Sequence, residues 1–218
     1  MIEGVIFDLD GTLLESMHIW NSVASEYLKS LGITPDADTD EIMKEASIQD
    51  AAAYFCKRYG IQKTVEEIAD DVNSKLEEAY YHTIQPKSGV MAMLEALHAR
   101  GVVMCAATAT DRYLIEPCIE RLGIRKYLTA IFTCTEVGVG KSEPLIYHKA
   151  EEALGVAKSR IAVFEDALYA AHTAKNDGYF LVGIYDDSMD TRQEELKALA
   201  DLYVRSYDEV DVVGCLFA

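Results

Sequence analysis

The chain has 218 residues, half of them hydrophobic, with 37 acidic against 20 basic side chains and a formal net charge of −17. That length carries one substantial core, or a core with a smaller accessory unit, and the composition is neither that of a disordered chain nor that of a coiled coil. So acidic a balance argues against nucleic acid and against an anionic membrane surface, both of which need clustered Lys and Arg, and means that an anionic ligand must be met by local cations or a metal. Five cysteines (56, 105, 118, 134 and 215), odd in number and without a CxxC pair, predict neither a disulfide framework nor structural zinc, and fit reduced thiols in the cytoplasm. Glu3 and Asp8 interrupt any basic-then-apolar leader pattern, and no apolar run is long enough to span a membrane.

In chain order, the first apolar run is "GVIF" (4–7), short and continuous in hydrophobicity as a strand buried on both faces should be. It leads into Asp8 and Asp10, one residue apart. From 15 to 85 no strand pattern recurs. Trp20, Val23, Ala24, Tyr27, Leu28 and Leu31 repeat at i, i+3, i+4, i+7 and predict a helix stopped at Gly32, with further helices over 39–59 and 64–81. Trp20 lies on that stripe, where packing into a core outweighs contact with a ligand. The rhythm then changes. A helix over Gly89–Arg100 precedes a strand "VVMCAA" (102–107); a helix over Asp111–Leu122 precedes "AIFT" (130–133); a helix over Pro144–Leu154 precedes "IAVF" (161–164); and a helix over Ala167–Asp177 precedes "FLVGIY" (180–185). Glycines 101, 123, 155 and 178 stand where helices stop, Pro144 suits a first turn, and Pro117 predicts a kink.

This alternation predicts an α/β fold: a Rossmann-like parallel sheet core, helices on both faces, and an inserted all-helical cap domain. The expected core is 1–14 with 86–218, the expected cap 15–85, with linkers near Leu14–Ser16 and Thr83–Ser88. In open parallel sheets ligands bind beyond the carboxyl ends of the strands. Asp8 and Asp10 follow the first strand, Thr108, Ala109 and Thr110 the second, Lys141 the third on a loop, and Glu165 and Asp166 the fourth. Carboxylates, a hydroxyl and an ammonium converging on one edge suit a phosphoryl group with a divalent cation, and hard oxygen ligands favour Mg²⁺. One carboxylate can attack phosphorus, a second can move the leaving-group proton, and Lys141 with Thr108 can hold phosphoryl oxygens.

Each residue has a plainer reading. Asp8 and Asp10 could cap a turn, Lys141 could be a solvated surface lysine, Thr108 an ordinary strand-end hydroxyl with Thr110 or Asp111 capping the next helix, and Glu165 and Asp166 a helix start. His18, His82, His98, His148 and His172 have no ligand spacing and are expected to be structural or exposed; His18, close behind the first motif, is the one that could face the cleft.

"DLDGTLL", a Thr ending the second strand, a Lys ahead of a Pro-started helix and "FED" ending the fourth strand together resemble the four motifs of the haloacid dehalogenase superfamily. The helical insert resembles its C1 cap, and the subgroup most resembled is that of β-phosphoglucomutase-like and phosphoglycolate-phosphatase-like enzymes. The resemblance spans essentially the whole chain. It implies Asp8 as nucleophile, Asp10 as general acid/base, and Mg²⁺ held by the Asp8 carboxylate, the Asp10 main-chain carbonyl and Asp166, with Glu165 nearby or through water. It implies phosphate binding by Thr108 and the Ala109 amide, and charge neutralisation by Lys141. Asp10 sets the chain apart from the dehalogenases that name the family. Two departures stand out: "KSEP" keeps only Pro144 of a Lys-Pro-x-Pro string, and Ala167 and Ala170 replace a customary Ser and Gly. The implied function is a cytoplasmic Mg²⁺-dependent phosphatase hydrolysing a small phosphorylated metabolite through an aspartyl-phosphate. The alternatives are a β-phosphoglucomutase-like sugar phosphomutase and, in another class, a non-catalytic phospho-ligand-binding module. The sequence implies no protein partner, and specificity falls to 15–85.

Overall fold

Six strands form one all-parallel sheet in the computed structural model, which describes residues 1–40 and 48–217. They are β1 (Gly4–Phe7), β2 (Val103–Thr108), β3 (Ala130–Thr133), β4 (Ile161–Glu165), β5 (Phe180–Ile184) and β6 (Leu202–Val204), in the spatial order β3-β2-β1-β4-β5-β6. Every residue of β1 and β4 is buried, as strands covered by helices on both faces require. The order reverses between β1 and β4, the topological switch point at which such sheets open a crevice beyond their carboxyl ends. Register fixes what meets there: Phe7 pairs with Phe164 of β4 and with Ala106 of β2, so Asp8 and Glu165 leave the sheet side by side.

The helices predicted over 89–100, 111–122, 144–154 and 167–177 are Val90–Ala99, Arg112–Arg121, Leu145–Leu154 and Leu168–Asn176. Ile146, Tyr147 and Ala150 pack on Ile6, Cys105 and Val163 at one place, and Leu168 and Ala171 on Leu181 and Leu196 at another. Helix Arg112–Arg121 continues through Pro117 for four more residues. Strand ends move by a residue: β2 starts at Val103 and reaches Thr108, β4 reaches Glu165, and β5 stops at Ile184. Beyond Tyr185 the periodicity predicts nothing, yet the chain forms β6 and the helices Gln193–Leu199 and Val212–Phe217. A three-residue edge strand with one fully buried position carries too little pattern to read.

The chain divides into two compact units, Met1–Glu15 with Ile84–Ala218, and Ser16–Thr83. The second holds helices Met17–Trp20, Val23–Ser30, Ile48–Tyr59 and Val65–Glu78, the last running into a π-helical turn at Ala79–Thr83. The single helix predicted from the Trp20–Leu31 stripe is thus two. Asn21 and Ser22 separate them, and Ser22 gives its hydroxyl to the His18 carbonyl, the local competition that such side chains offer a helix. Leu31 is exposed rather than core, whereas Tyr27 stacks on Phe55, and Ile68, Val72 and Leu76 are buried. Trp20 is half-buried and donates its indole N–H to the Tyr80 hydroxyl at 2.7 Å. Of the helix expected over 39–59, Ile48–Tyr59 is described and 41–47 lie outside the described residues. Val65 starts its helix behind a complete capping box, Thr64 with Glu67. Among the described residues, no helix is long and apolar enough to cross a membrane.

Candidate active site

Asp8 continues β1 by one residue, its amide donating to the Phe164 carbonyl at 3.0 Å. Alternation then turns Leu9 into the core, and Gly11, at φ +78°, reverses the chain. The amides of Leu13 and Leu14 both return to the Leu9 carbonyl, so the turn carrying Asp10 and Thr12 is tied at its base. At the end of β4, Glu165 and Asp166 are both buried. One carboxylate oxygen from each of Asp8, Glu165 and Asp166 lies within 4.8 Å of the other two, and among the described residues no other group of His, Cys, Asp or Glu side chains meets that condition.

Lys141 reaches this group from the loop after β3. Only 2% exposed, it donates to Asp8 Oδ1 and, at 2.9 Å, to Glu165 Oε2. Burial works against its charge, but Asp8 and Glu165 outweigh burial and hold its pKa well above the ordinary lysine value. The acids are displaced upward as well, toward their neutral forms. Burial raises Asp8 despite Lys141, pushes Glu165 up to about 8, and lifts Asp166 well above the usual carboxylate range, with Asp8 and Glu165 adding repulsion. Three carboxylates against one ammonium leave two negative charges when all are ionised. That deficit and the all-oxygen donor set fit one hard divalent cation.

Asp10 stands outside the carboxylate group: its Oδ2 accepts from the Thr110 hydroxyl at 2.7 Å. Thr108 is fully buried at the end of β2, its Oγ1 accepting from the Thr110 amide at 3.1 Å, and Ala109 beside it is exposed. Asp111 occupies the N-cap of the following helix without a side-chain cap bond, so Thr110 serves the acid rather than the helix.

Several residues at this edge escaped the sequence reading. Thr12 donates its hydroxyl to Asp166 Oδ1 at 2.8 Å, and the signal for it lay in its place inside "DLDGT". Tyr147, buried on Leu145–Leu154, donates to Glu165 Oε2 at 3.4 Å and had no signal beyond a core stripe. Asp186, just past β5, is buried and paired with Lys87 at 2.8 Å, and the rule that picked out the other strand ends applies to it equally. His18 is exposed in the other unit, beside Ile19, Val23 and Lys75 along a groove of about 300 Å³. His82 lies 4.0 Å from Glu78, and His148 is paired with Asp177 at 2.8 Å.

Residues 2–176 match the family model described as haloacid dehalogenase-like hydrolase. The chain is 28% identical over 215 residues to a validoxylamine A 7'-phosphate phosphatase of Streptomyces hygroscopicus subsp. limoneus, covering 96% of both chains. It is 23% identical over 177 residues to a phosphorylated carbohydrates phosphatase of Thermotoga maritima, covering 81% of this chain and 82% of that one. In three dimensions it superposes on the crystal structure of CbbY from Rhodobacter sphaeroides in complex with phosphate, with a TM-score of 0.80 over 100% of both chains at 23% identity.

Proposed function

Because the chain belongs to the haloacid dehalogenase-like hydrolases, we propose that it is a Mg²⁺-dependent phosphatase that hydrolyses a small phosphorylated metabolite through an aspartyl-phosphate on Asp8. The observation that carries this reading is the buried group of Asp8, Glu165 and Asp166 with Lys141 set against it, two positive charges short of neutrality. Asp8, Asp166 and the Asp10 main-chain carbonyl would hold Mg²⁺, with Glu165 contributing directly or through water. There the cation supplies positive charge against the phosphoryl oxygens.

The chain's own groups carry the reaction. Asp8 attacks phosphorus as the bond to the leaving oxygen breaks, and Asp10 gives that oxygen its proton. Asp10 then takes a proton from water as the water oxygen attacks the acyl-phosphate, freeing inorganic phosphate and restoring Asp8. Thr110, bonded to Asp10 at 2.7 Å, sets the direction of the acid, and the Thr108 hydroxyl and Ala109 amide bind phosphoryl oxygens. Lys141 holds Asp8 in line and offsets the charge gathered at the transferring group. The helical unit 15–85 serves as the cap that reads the leaving group, and the enzyme works in the cytoplasm. The names of the two phosphatase relatives support a phosphorylated carbohydrate-like substrate.

The test is phosphate release from sugar phosphates, polyol phosphates, phosphoglycolate and nucleotides, with Mg²⁺ and with EDTA. Release that needs Mg²⁺ and vanishes in Asp8→Asn is the expected result, and release surviving in either case overturns the mechanism. Turnover that depends on an added sugar bisphosphate would instead identify a mutase. A folded chain that binds phosphate esters and releases none would identify a binding module.

A further inference from the structure

The geometry points to Tyr207 as a positioning residue for Asp166, acting through Thr12; the inference rests on the proposed reaction, in which Asp166 holds the cation. Tyr207 lies on the segment after β6, and its ring is buried. A buried phenol seeks a partner, and Tyr207 donates its hydroxyl to the Thr12 carbonyl oxygen at 3.0 Å across 195 positions of sequence. Thr12 in turn donates its own hydroxyl to Asp166 Oδ1 at 2.8 Å. One residue therefore bonds the C-terminal segment through its backbone and the metal-binding acid through its side chain. A displacement of Thr12 that drew its hydroxyl off Asp166 would also draw its carbonyl away from Tyr207.

Tyr207 is itself held by a close approach. Gly89 adopts φ +81°, and a Cβ there would stand 2.8 Å from the Tyr207 Cβ and 2.9 Å from its carbonyl carbon, so only a glycine lets the two backbones meet. The start of helix Val90–Ala99 thus backs Tyr207, Tyr207 backs Thr12, and Thr12 orients Asp166. The mechanism uses no part of 202–217, so this connection gives the last segment of the chain a stake in the site.

The test is Mg²⁺ binding to the metal-free protein by calorimetry, compared among wild type, Tyr207→Phe, Thr12→Val and the double variant. Loss of a partner to a metal ligand weakens metal affinity about 10- to 100-fold, the range expected for Thr12→Val, and Tyr207→Phe, one bond further out, is expected to weaken it about 3- to 10-fold. In the Thr12→Val background Tyr207→Phe should add less than about 2-fold, because the hydroxyl it aligns is already gone. Wild-type Mg²⁺ affinity in Tyr207→Phe, or losses that multiply in the double variant, overturns the inference.

A second measurement needs no variant. Coupling is reciprocal, so Mg²⁺ must slow hydrogen exchange across 205–209 as well as around 9–14. Unaltered exchange across 205–209 likewise overturns the inference, including in the event that Tyr207→Phe does not fold. A wild-type chain that binds no Mg²⁺ removes the proposed reaction and this inference together. Binding by wild type with an unmoved Tyr207→Phe removes the inference alone.

Discussion

Replacing Lys141 by methionine keeps the apolar stem and deletes the one cation that Asp8 and Glu165 share. Breaking a buried ion pair from one side costs about 3–5 kcal/mol. For a chain of this length each kcal/mol is about 2–4 °C, so melting in EDTA at pH 8 should fall by roughly 6–20 °C. The deficit must depend on pH. Burial holds Asp8 and Glu165 above their unfolded values, so stability tied to their neutral forms is complete below the ordinary carboxylate range and is lost as pH rises, for Glu165 through about 8. Without the ammonium both acids are pushed higher still, so the gap between variant and wild type should be widest at pH 8 and close as pH falls toward 5. Removing a positive charge also deepens the electrostatic trap for a cation: saturating Mg²⁺ should raise the melting temperature of Lys141→Met by more than it raises that of wild type. Phosphate release should nevertheless fall by about 10³-fold, the scale of losing a group that stabilises phosphoryl transfer. Differential scanning fluorimetry across pH, with EDTA or Mg²⁺, reads all but the last. Equal melting of variant and wild type in EDTA at pH 8, or a smaller Mg²⁺ gain in the variant, would refute the reasoning.

Thr110→Val removes the donor to Asp10 while keeping the shape of the side chain. With Asp10 as acid and base, kcat should drop about 10-fold with KM nearly unchanged, a fraction of the 10²–10⁴ attributed to such catalysis; a KM-only effect in steady-state kinetics would place Thr110 in substrate binding instead. Gly89→Ala combines a positive φ with the close approach to Tyr207 and should cost about 2 kcal/mol, or about 4–8 °C of melting temperature. An unchanged melt would show that the two segments separate without cost.

The five strands from 4 to 184 were legible because strands buried on both faces are nearly unbroken apolar runs, bounded by glycine-stopped helices. The residues at the ends of those strands pointed to Asp8, Glu165 and Asp166, and the resemblance to a known family pointed to Lys141, eight residues beyond β3; the fold brings the four together, since parallel strands present their carboxyl ends along one edge. The helical insert was legible in kind but not in detail. Its Trp20–Leu31 stripe is continuous on paper, yet one helix ends at Asn21 and Ser22 before the next begins, where the Ser22 hydroxyl bonds the His18 carbonyl. The hydroxyls of Thr110 and Tyr147 find acids that are near only after folding, and nothing in the spacing of a lone Thr or Tyr announces that partner, whereas Thr12 carried a signal in its place inside "DLDGT". Asp186 differs, since it stands at a strand end and was open to the same inspection as Asp166.

Three buried acids with one buried ammonium make an arrangement that a folded chain holds only against resistance: desolvation lifts every one of the acids, and their mutual repulsion adds to it. Packing alone would favour apolar side chains at these positions, as it does at Phe7 and Phe164 one residue earlier on the same strands. The arrangement becomes coherent once a divalent cation completes the charge, because the acids then ionise without leaving an uncompensated charge inside. On the proposed function, Mg²⁺ binding would therefore add to folding stability. Protons must leave as the cation enters, so Mg²⁺ affinity should fall as pH is lowered from 8 to 5, at a chain charge of −17 that already draws cations toward it. On the proposed reaction the same deficit would let so acidic a chain take a phosphorylated substrate, because a divalent cation and Lys141 together would offset the three acids at the sheet edge.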